Sequence, residues 1–236
     1  MAHKIHILSG ILLSLLLFSS CFENEDVKPT AYGDVIAKSI IRNDTVVYGI
    51  NYFVYSYTQM DSATVNRYGE DNKVTLDSLE YRYTFSFMPE YSDYSAVKPQ
   101  KGNFVFNVAF KDNESYTATD YLDSIFLNPP SIKKLSFDNE TEQFKIEWQS
   151  DSKADSYRVI LVDDKNEIAF QSELLYPSVT YLMIEANSAG WLKDKHPEKG
   201  KDFKVVLSAY LYESMASSFD LQSISINDTT SVSWMQ

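Results

Sequence analysis

Gly49-Ile50-Asn51-Tyr52-Phe53-Val54-Tyr55-Ser56-Tyr57 is the stretch on which the fold turns. Aromatic and β-branched residues recur in it at alternate positions, a period of two that suits a pleated, half-buried strand better than a helix. The same period returns in Leu79-Glu80-Tyr81-Arg82-Tyr83-Thr84-Phe85-Ser86-Phe87 and in Asn103-Phe104-Val105-Phe106-Asn107-Val108-Ala109-Phe110. Between such runs stand Asp, Asn, Ser, Gly and Pro, the residues of turns. A single segment, near Glu185 to Asp194, has the pattern of a helical turn or two. The expected fold class is therefore all-β.

Asn128-Pro129-Pro130-Ser131 divides the chain. Two adjacent prolines remove two ladder donors and force extended geometry just after the strand-like Asp123-Ser124-Ile125-Phe126-Leu127. Each half then has about 100 residues and roughly seven candidate strands, the size of an immunoglobulin-like sandwich. The organisation expected is a leader at 1–20, an acidic linker at 21–31, one sandwich at 32–128 and a second at 129–236.

The second half carries Phe144-Lys145-Ile146-Glu147-Trp148, then Asp155-Ser156-Tyr157-Arg158-Val159-Ile160-Leu161-Val162, then Thr180-Tyr181-Leu182-Met183-Ile184. Leu192, Pro197, Gly200 and Phe203 lead into Lys204-Val205-Val206-Leu207-Ser208-Ala209-Tyr210. That order resembles a fibronectin type III domain. The resemblance implies that Trp148 packs on Tyr157, and that Leu192 and Pro197 mark the corner before the sixth strand. Phe203 replaces the corner tyrosine, so the corner hydroxyl bond is lost. The first half resembles the wider immunoglobulin-like class through Pro99-Gln100-Lys101-Gly102 before a strand and Lys111-Asp112-Asn113 as a hairpin turn.

His3, Lys4 and His6 precede an apolar run from Ile7 to Phe18, the n-region and h-region of a secretory leader. The run is too short to span a bilayer, which needs about 20 residues. It ends at Phe18-Ser19-Ser20-Cys21, and Cys21 is the only cysteine of the protein. This resembles a bacterial lipobox, with Phe18 where Leu is more usual, and implies that Cys21 becomes an acylated N-terminus holding the protein on a membrane. The following Phe22-Glu23-Asn24-Glu25-Asp26 looks like the surface-export signal of Bacteroidetes lipoproteins, which implies an outer-membrane, cell-surface address.

Composition then removes chemistries. The chain has 21 Lys+Arg against 33 Asp+Glu. Removal of residues 1–20 takes away one lysine and no acid, leaving a net charge of −13. Such a surface repels nucleic acid. The mature chain would keep one histidine, His196, so zinc sites built on His or Cys and Ser-His-Asp or Cys-His catalysis have no residues to use unless His196 is the base. No cofactor, no metal and no catalytic residue is expected. Asp163-Asp164-Lys165-Asn166-Glu167 is rich in oxygen ligands but lacks the spacing of a calcium loop and reads as a hairpin turn. A carboxylate pair of the glycoside hydrolase kind is open on composition, although the sequence singles out no pair.

Binding remains. Tyr91 and Tyr94 in Glu90-Tyr91-Ser92-Asp93-Tyr94-Ser95, and Trp191 in Gly190-Trp191-Leu192, are the rings singled out for stacking on a sugar, with Trp234 a further aromatic near the C-terminus. The same rings suit capping the cores, and Trp191 and Trp234 fit that packing role better. Asp followed by Ser or Thr and then a small or apolar residue recurs, with acceptors Thr45, Ser62, Ser78, Ser124 and Thr229. The triplet resembles the O-glycosylation motif of Bacteroidetes secreted proteins, while turns that begin with Asp and run into strands produce it too. The function expected is a non-catalytic, lipid-anchored surface protein binding glycan as an accessory of polysaccharide capture. The competing expectations are an adhesive protein that binds another envelope protein through sheet edges or the interdomain face, and a glycoside hydrolase.

Overall fold

The computed structural model describes residues 28–214, 220–227 and 230–234, with Glu80 as backbone only. Residues 1–20, Cys21 and Thr229, on which the expected leader, acylation and one expected glycosylation site fall, lie outside the described residues. Among those described, the only helical elements are short 3₁₀ turns at 80–82, 91–93 and 111–113. The fold is all-β, two sandwiches in tandem.

The first sandwich has eight strands: β1 (Ala31–Arg42), β2 (Thr45–Ser56), β3 (Met60–Arg67), β4 (Val74–Thr75), β5 (Asp77–Ser78), β6 (Thr84–Phe87), β7 (Gly102–Phe110) and β8 (Ser115–Leu122). One sheet runs β1-β2-β6-β5 and faces a second of order β4-β3-β7-β8. This four-on-four order is immunoglobulin-like. Alternation decides which side chains meet in between. Val35, Ala37, Val54, Val65, Phe104, Phe106 and Val108 point inward and are buried. Lys111–Asn113 is the connection between β7 and β8, with Asp112 and Asn113 in the left-handed region that these residues tolerate.

The second sandwich contains β9 (Ser131–Asp138), β10 (Gln143–Gln149), β11 (Ser156–Val162), β12 (Ile168–Gln171), β13 (Tyr181–Ile184), β14 (Lys201–Tyr212), β15 (Leu221–Ile226) and β16 (Thr230–Trp234). A three-stranded sheet β13-β10-β9 packs on β12-β11-β14, whose outer edge is shared by β15 and β16. This is the fibronectin type III arrangement. Trp148 lies 5.7 Å from Tyr157, ring to ring. The Tyr157 hydroxyl accepts a hydrogen bond from the Asp151 amide at 2.6 Å, so its polar end is satisfied inside the core.

Residues 185–194 form turns and no helix, which corrects the one helical expectation. The segment is tied down strand-fashion: the Gln171 amide donates to Gly190 O at 2.8 Å and the Leu192 amide to Ala169 O at 2.9 Å. These bonds to β12 use up backbone groups that a helix would need for itself. Asp163–Glu167 is the expected hairpin turn, between β11 and β12. Asp163 Oδ1 accepts the amides of Lys165 and Glu167, and Lys195 reaches Asp163 Oδ2 at 2.6 Å. That lysine and the two amides hold the Asp163 carboxyl down at about 2.

The two sandwiches join in one continuous sheet. β1 sits between β2 and β15, pairing antiparallel with the first and parallel with the second at Ala37–Ser223, Lys38–Ile224 and Ser39–Ser225. The seam is lined with small polar groups: Ser39 Oγ lies 2.6 Å from Ser225 Oγ and 2.9 Å from Leu127 O, its acceptor. Apolar cores stay separate on either side, with Phe126 buried in the first and Leu127 in the second.

Candidate functional site

Beyond the seam, the outward face of the first sandwich meets the end of the second. Tyr32 and Tyr55 are directly paired across β1 and β2, so alternation puts them on one face. Asp34 follows Tyr32 by two residues, and Phe53 and Tyr57 flank Tyr55 by two, so the same pleat turns all of them that way. Between Tyr32 and Asp34, Gly33 points into the core. A side chain there would lie 2.3 Å from the ring of buried Phe106, which explains the glycine.

The result is a groove of about 730 Å³. Its aromatic side is a tyrosine trio: the Tyr32 and Tyr55 rings stack with centroids 5.1 Å apart at 20°. Tyr57 stands edge-on to both, 6.5 Å from Tyr32 and 6.4 Å from Tyr55. Tyr57 is 83% exposed and Tyr32 49%, so ring surface remains open to a ligand.

The floor is acidic. Asp34 from β1, Asp120 from β8 and Glu213 after β14 bring carboxylate oxygens within 4.8 Å of one another, and Asp220 also lines the groove. Among the described residues, no Lys, Arg or His lines the groove. Asp120 Oδ2 accepts the Val35 amide at 2.7 Å. Asp34 Oδ1 and Glu213 Oε1 are closed off from solvent and take no hydrogen bond. Burial first, then the neighbouring acids, push both the Asp34 and the Glu213 carboxyls up to about 7. Burial raises Asp120 as well. Such a cluster can hold a proton at neutral pH, attract a cation, or donate hydrogen bonds to hydroxyls.

The rings singled out in the sequence lie elsewhere. Tyr94 is buried, and its ring packs over Gly49. Trp191 is wedged among Phe170, Phe203 and Trp234 at 5.2–5.7 Å, with its indole N–H donated to Glu185 O. Its ring faces are spent on these contacts with the core. Trp234 is 2% exposed in the same aromatic cluster. Tyr91 does face solvent, with the Arg42 guanidinium 5.7 Å above its ring, but Arg42 ends β1 and Tyr32 begins it. The structure therefore brings none of Tyr91, Tyr94 and Trp191 to the groove. His196 is exposed on its loop. The acceptors Thr45, Ser62, Ser78 and Ser124 are all exposed.

Neither a protein-family model nor a curated protein matches this sequence. Solved structures similar to the chain include the FN1–FN3 domains of chicken CNTN1, at 12% identity over 89% of this chain and 69% of that one, with a TM-score of 0.35. A two-domain fibronectin type III segment of chicken tenascin shows 14% identity over 79% of this chain and 92% of that one, TM-score 0.28. A chain of a cytokine receptor complex shows 10% identity over 84% and 99%, TM-score 0.30. The sandwich assignment rests on strand order and the two cores.

Sequence reasoning missed the groove because its acids come from distant strands. The one local signal was Tyr55-Ser56-Tyr57, two aromatics at alternate positions just before a turn, where no inward-facing partner is needed for both.

Proposed function

We propose that the protein is a non-catalytic accessory module that binds glycan in the groove between its sandwiches, held at a cell surface through an acylated Cys21. The observation that carries the binding reading is the exposed Tyr32, Tyr55 and Tyr57 trio standing over carboxylates in a groove of about 730 Å³. Flat rings stack on sugar faces, and neighbouring acids take hydroxyl hydrogen bonds. All-β sandwiches commonly present ligands to such surfaces, while the fold itself implies no activity.

Affinity electrophoresis of residues 22–236 through polysaccharide gels tests it. Tyr57→Ala and Tyr55→Ala each weaken retardation by about tenfold, ~1.4 kcal/mol. Loss of binding in Tyr91→Ala with full binding in Tyr57→Ala would place the ligand at the 90–95 loop instead.

Acylation is tested separately. In a diderm bacterial host fed an alkynyl palmitate, the full chain takes up label and Cys21→Ser does not; an unlabelled wild type removes the anchor. Exposure of Thr45, Ser62, Ser78 and Ser124 leaves all four open to a glycosyltransferase.

The carboxylate cluster supports a second reading, glycoside hydrolysis. Two carboxyls within the ~5–5.5 Å of a retaining pair, one held protonated near neutrality, are the parts such chemistry needs. Reducing ends released from a glycan panel, and lost in Glu213→Gln, would establish it over simple binding.

A further inference from the structure

We infer that the groove selects a positively charged saccharide, one whose sugar rings carry free amines, in preference to neutral or N-acetylated glycans. The inference deepens the glycan reading above and rests on it.

The groove offers two kinds of surface, and they agree on one ligand chemistry. The tyrosine trio presents electron-rich ring faces, Tyr57 almost wholly exposed and perpendicular to the stacked Tyr32 and Tyr55. Ring faces attract C–H groups of any sugar and attract ammonium groups more strongly. Asp34, Asp120 and Glu213 line the same cavity, with no basic side chain among its described lining residues. A neutral glycan would leave that negative field uncompensated, and an anionic one would be repelled.

Asp34 Oδ1 and Glu213 Oε1 are shut off from solvent, so an ammonium in the groove acts on these acids through its field and not by contact with those atoms. An ammonium placed between the rings and the acids supplies the missing positive charge at short range. A lysine side chain would leave much of a 730 Å³ groove empty. An amino sugar uses both surfaces at once.

The charge balance has a measurable consequence. The groups facing Asp34 are Asp120 from β8, Glu213 from the end of β14 and Asp220 ahead of β15, with the Leu221 amide donating to it. Asp34 and Glu213 hold protons up to about 7 in the free protein. An arriving cation favours their charged forms, so at pH 6, where the sugar amines carry their protons, binding releases protons from the two carboxyls.

Calorimetry of residues 22–236 with a glucosamine hexasaccharide and its fully N-acetylated counterpart decides the matter. We expect the amine form to bind at least tenfold more tightly, to lose most of that advantage between 50 and 500 mM salt, and to release protons in buffers of different ionisation heat. Asp34→Asn with Glu213→Gln should abolish the preference while keeping residual binding through the rings. Should that pair of substitutions unfold the protein, the salt and proton dependence of the wild type still decides. Equal affinity for both hexasaccharides, or binding of neutral glucans alone, overturns the inference and keeps the glycan reading. No binding of any saccharide overturns both. Tighter binding of oligolysine than of the amine sugar, or calcium alone binding and displacing it, also overturns the inference.

Discussion

Trp234→Ala is expected to destabilise the second sandwich by about 3–5 kcal/mol, the cost of deleting a buried large aromatic and leaving a cavity. Trp234 lies on β16, the last strand, and its ring meets Phe137 at 5.2 Å from the opposite sheet and Trp191 at 5.6 Å from the corner loop. Its carbonyl accepts the Gly200 amide at 2.6 Å, so the same residue anchors both layers and the turn before β14. Loss of the ring removes contacts on three elements at once. Denaturant titration followed by tryptophan fluorescence, with Trp148 as reporter, reads the shift. Trp234→Phe keeps a ring and deletes an indole N–H that has no acceptor among the described residues, so it should cost much less. Equal losses in both variants would mean that the ring's packing does not hold β16 in place.

The second large effect is set by pH. The Asp34 carboxyl titrates near 7 in the folded chain, against 3.8 when free of its surroundings. The folded state therefore keeps a proton that the unfolded chain surrenders between pH 4 and 7, and stability declines as pH rises through that window. One pKa unit corresponds to about 1.4 kcal/mol, and ~1 kcal/mol moves Tm by about 2–4 °C in a chain of this size. Asp34→Asn should then raise Tm by ~3 °C or more at pH 8 and leave it nearly unchanged at pH 4, where both forms are neutral. Glu213, held up to about 7 by burial and by Asp120 and Asp220, should behave alike in Glu213→Gln. A gain of the same size at both pH values would show that charge burial is not the cause.

What the sequence made legible follows from the range of each interaction. The alternation in Asn103–Phe110 is local and reports a strand directly, because every second residue there is buried; Ile50–Ser56 lies in a strand of the same kind, with burial at Asn51, Val54 and Ser56. The Trp148–Tyr157 pair was likewise readable, as a resemblance whose two residues stand close in sequence. Trp191 illustrates the opposite case. Tryptophan's usual burial suggests a packing role, but its partners Phe170, Phe203 and Trp234 come from three different strands, a meeting that no local pattern shows. Tyr94 went the same way, because the opening that receives it is made by Gly49 on a strand far upstream. Asp34, Asp120 and Glu213 are ordinary surface acids in sequence. They become a cluster only because β1 is shared between the two halves of the molecule.

That sharing has a cost in time. When the ribosome has finished β8, the first sandwich has its strands, but β1 still shows bare amides and carbonyls at 37–39, which find their ladder partner only in Ser223–Ser225. At elongation rates of about 5–20 residues per second, the roughly 100 intervening residues take about 5–20 s to make. Through that interval a nascent chain carries a sticky border for strand addition by a neighbour, shielded only by the brevity of the gap and the lysine at its middle, Lys38. Holdase chaperones would find their substrate in that half-finished state.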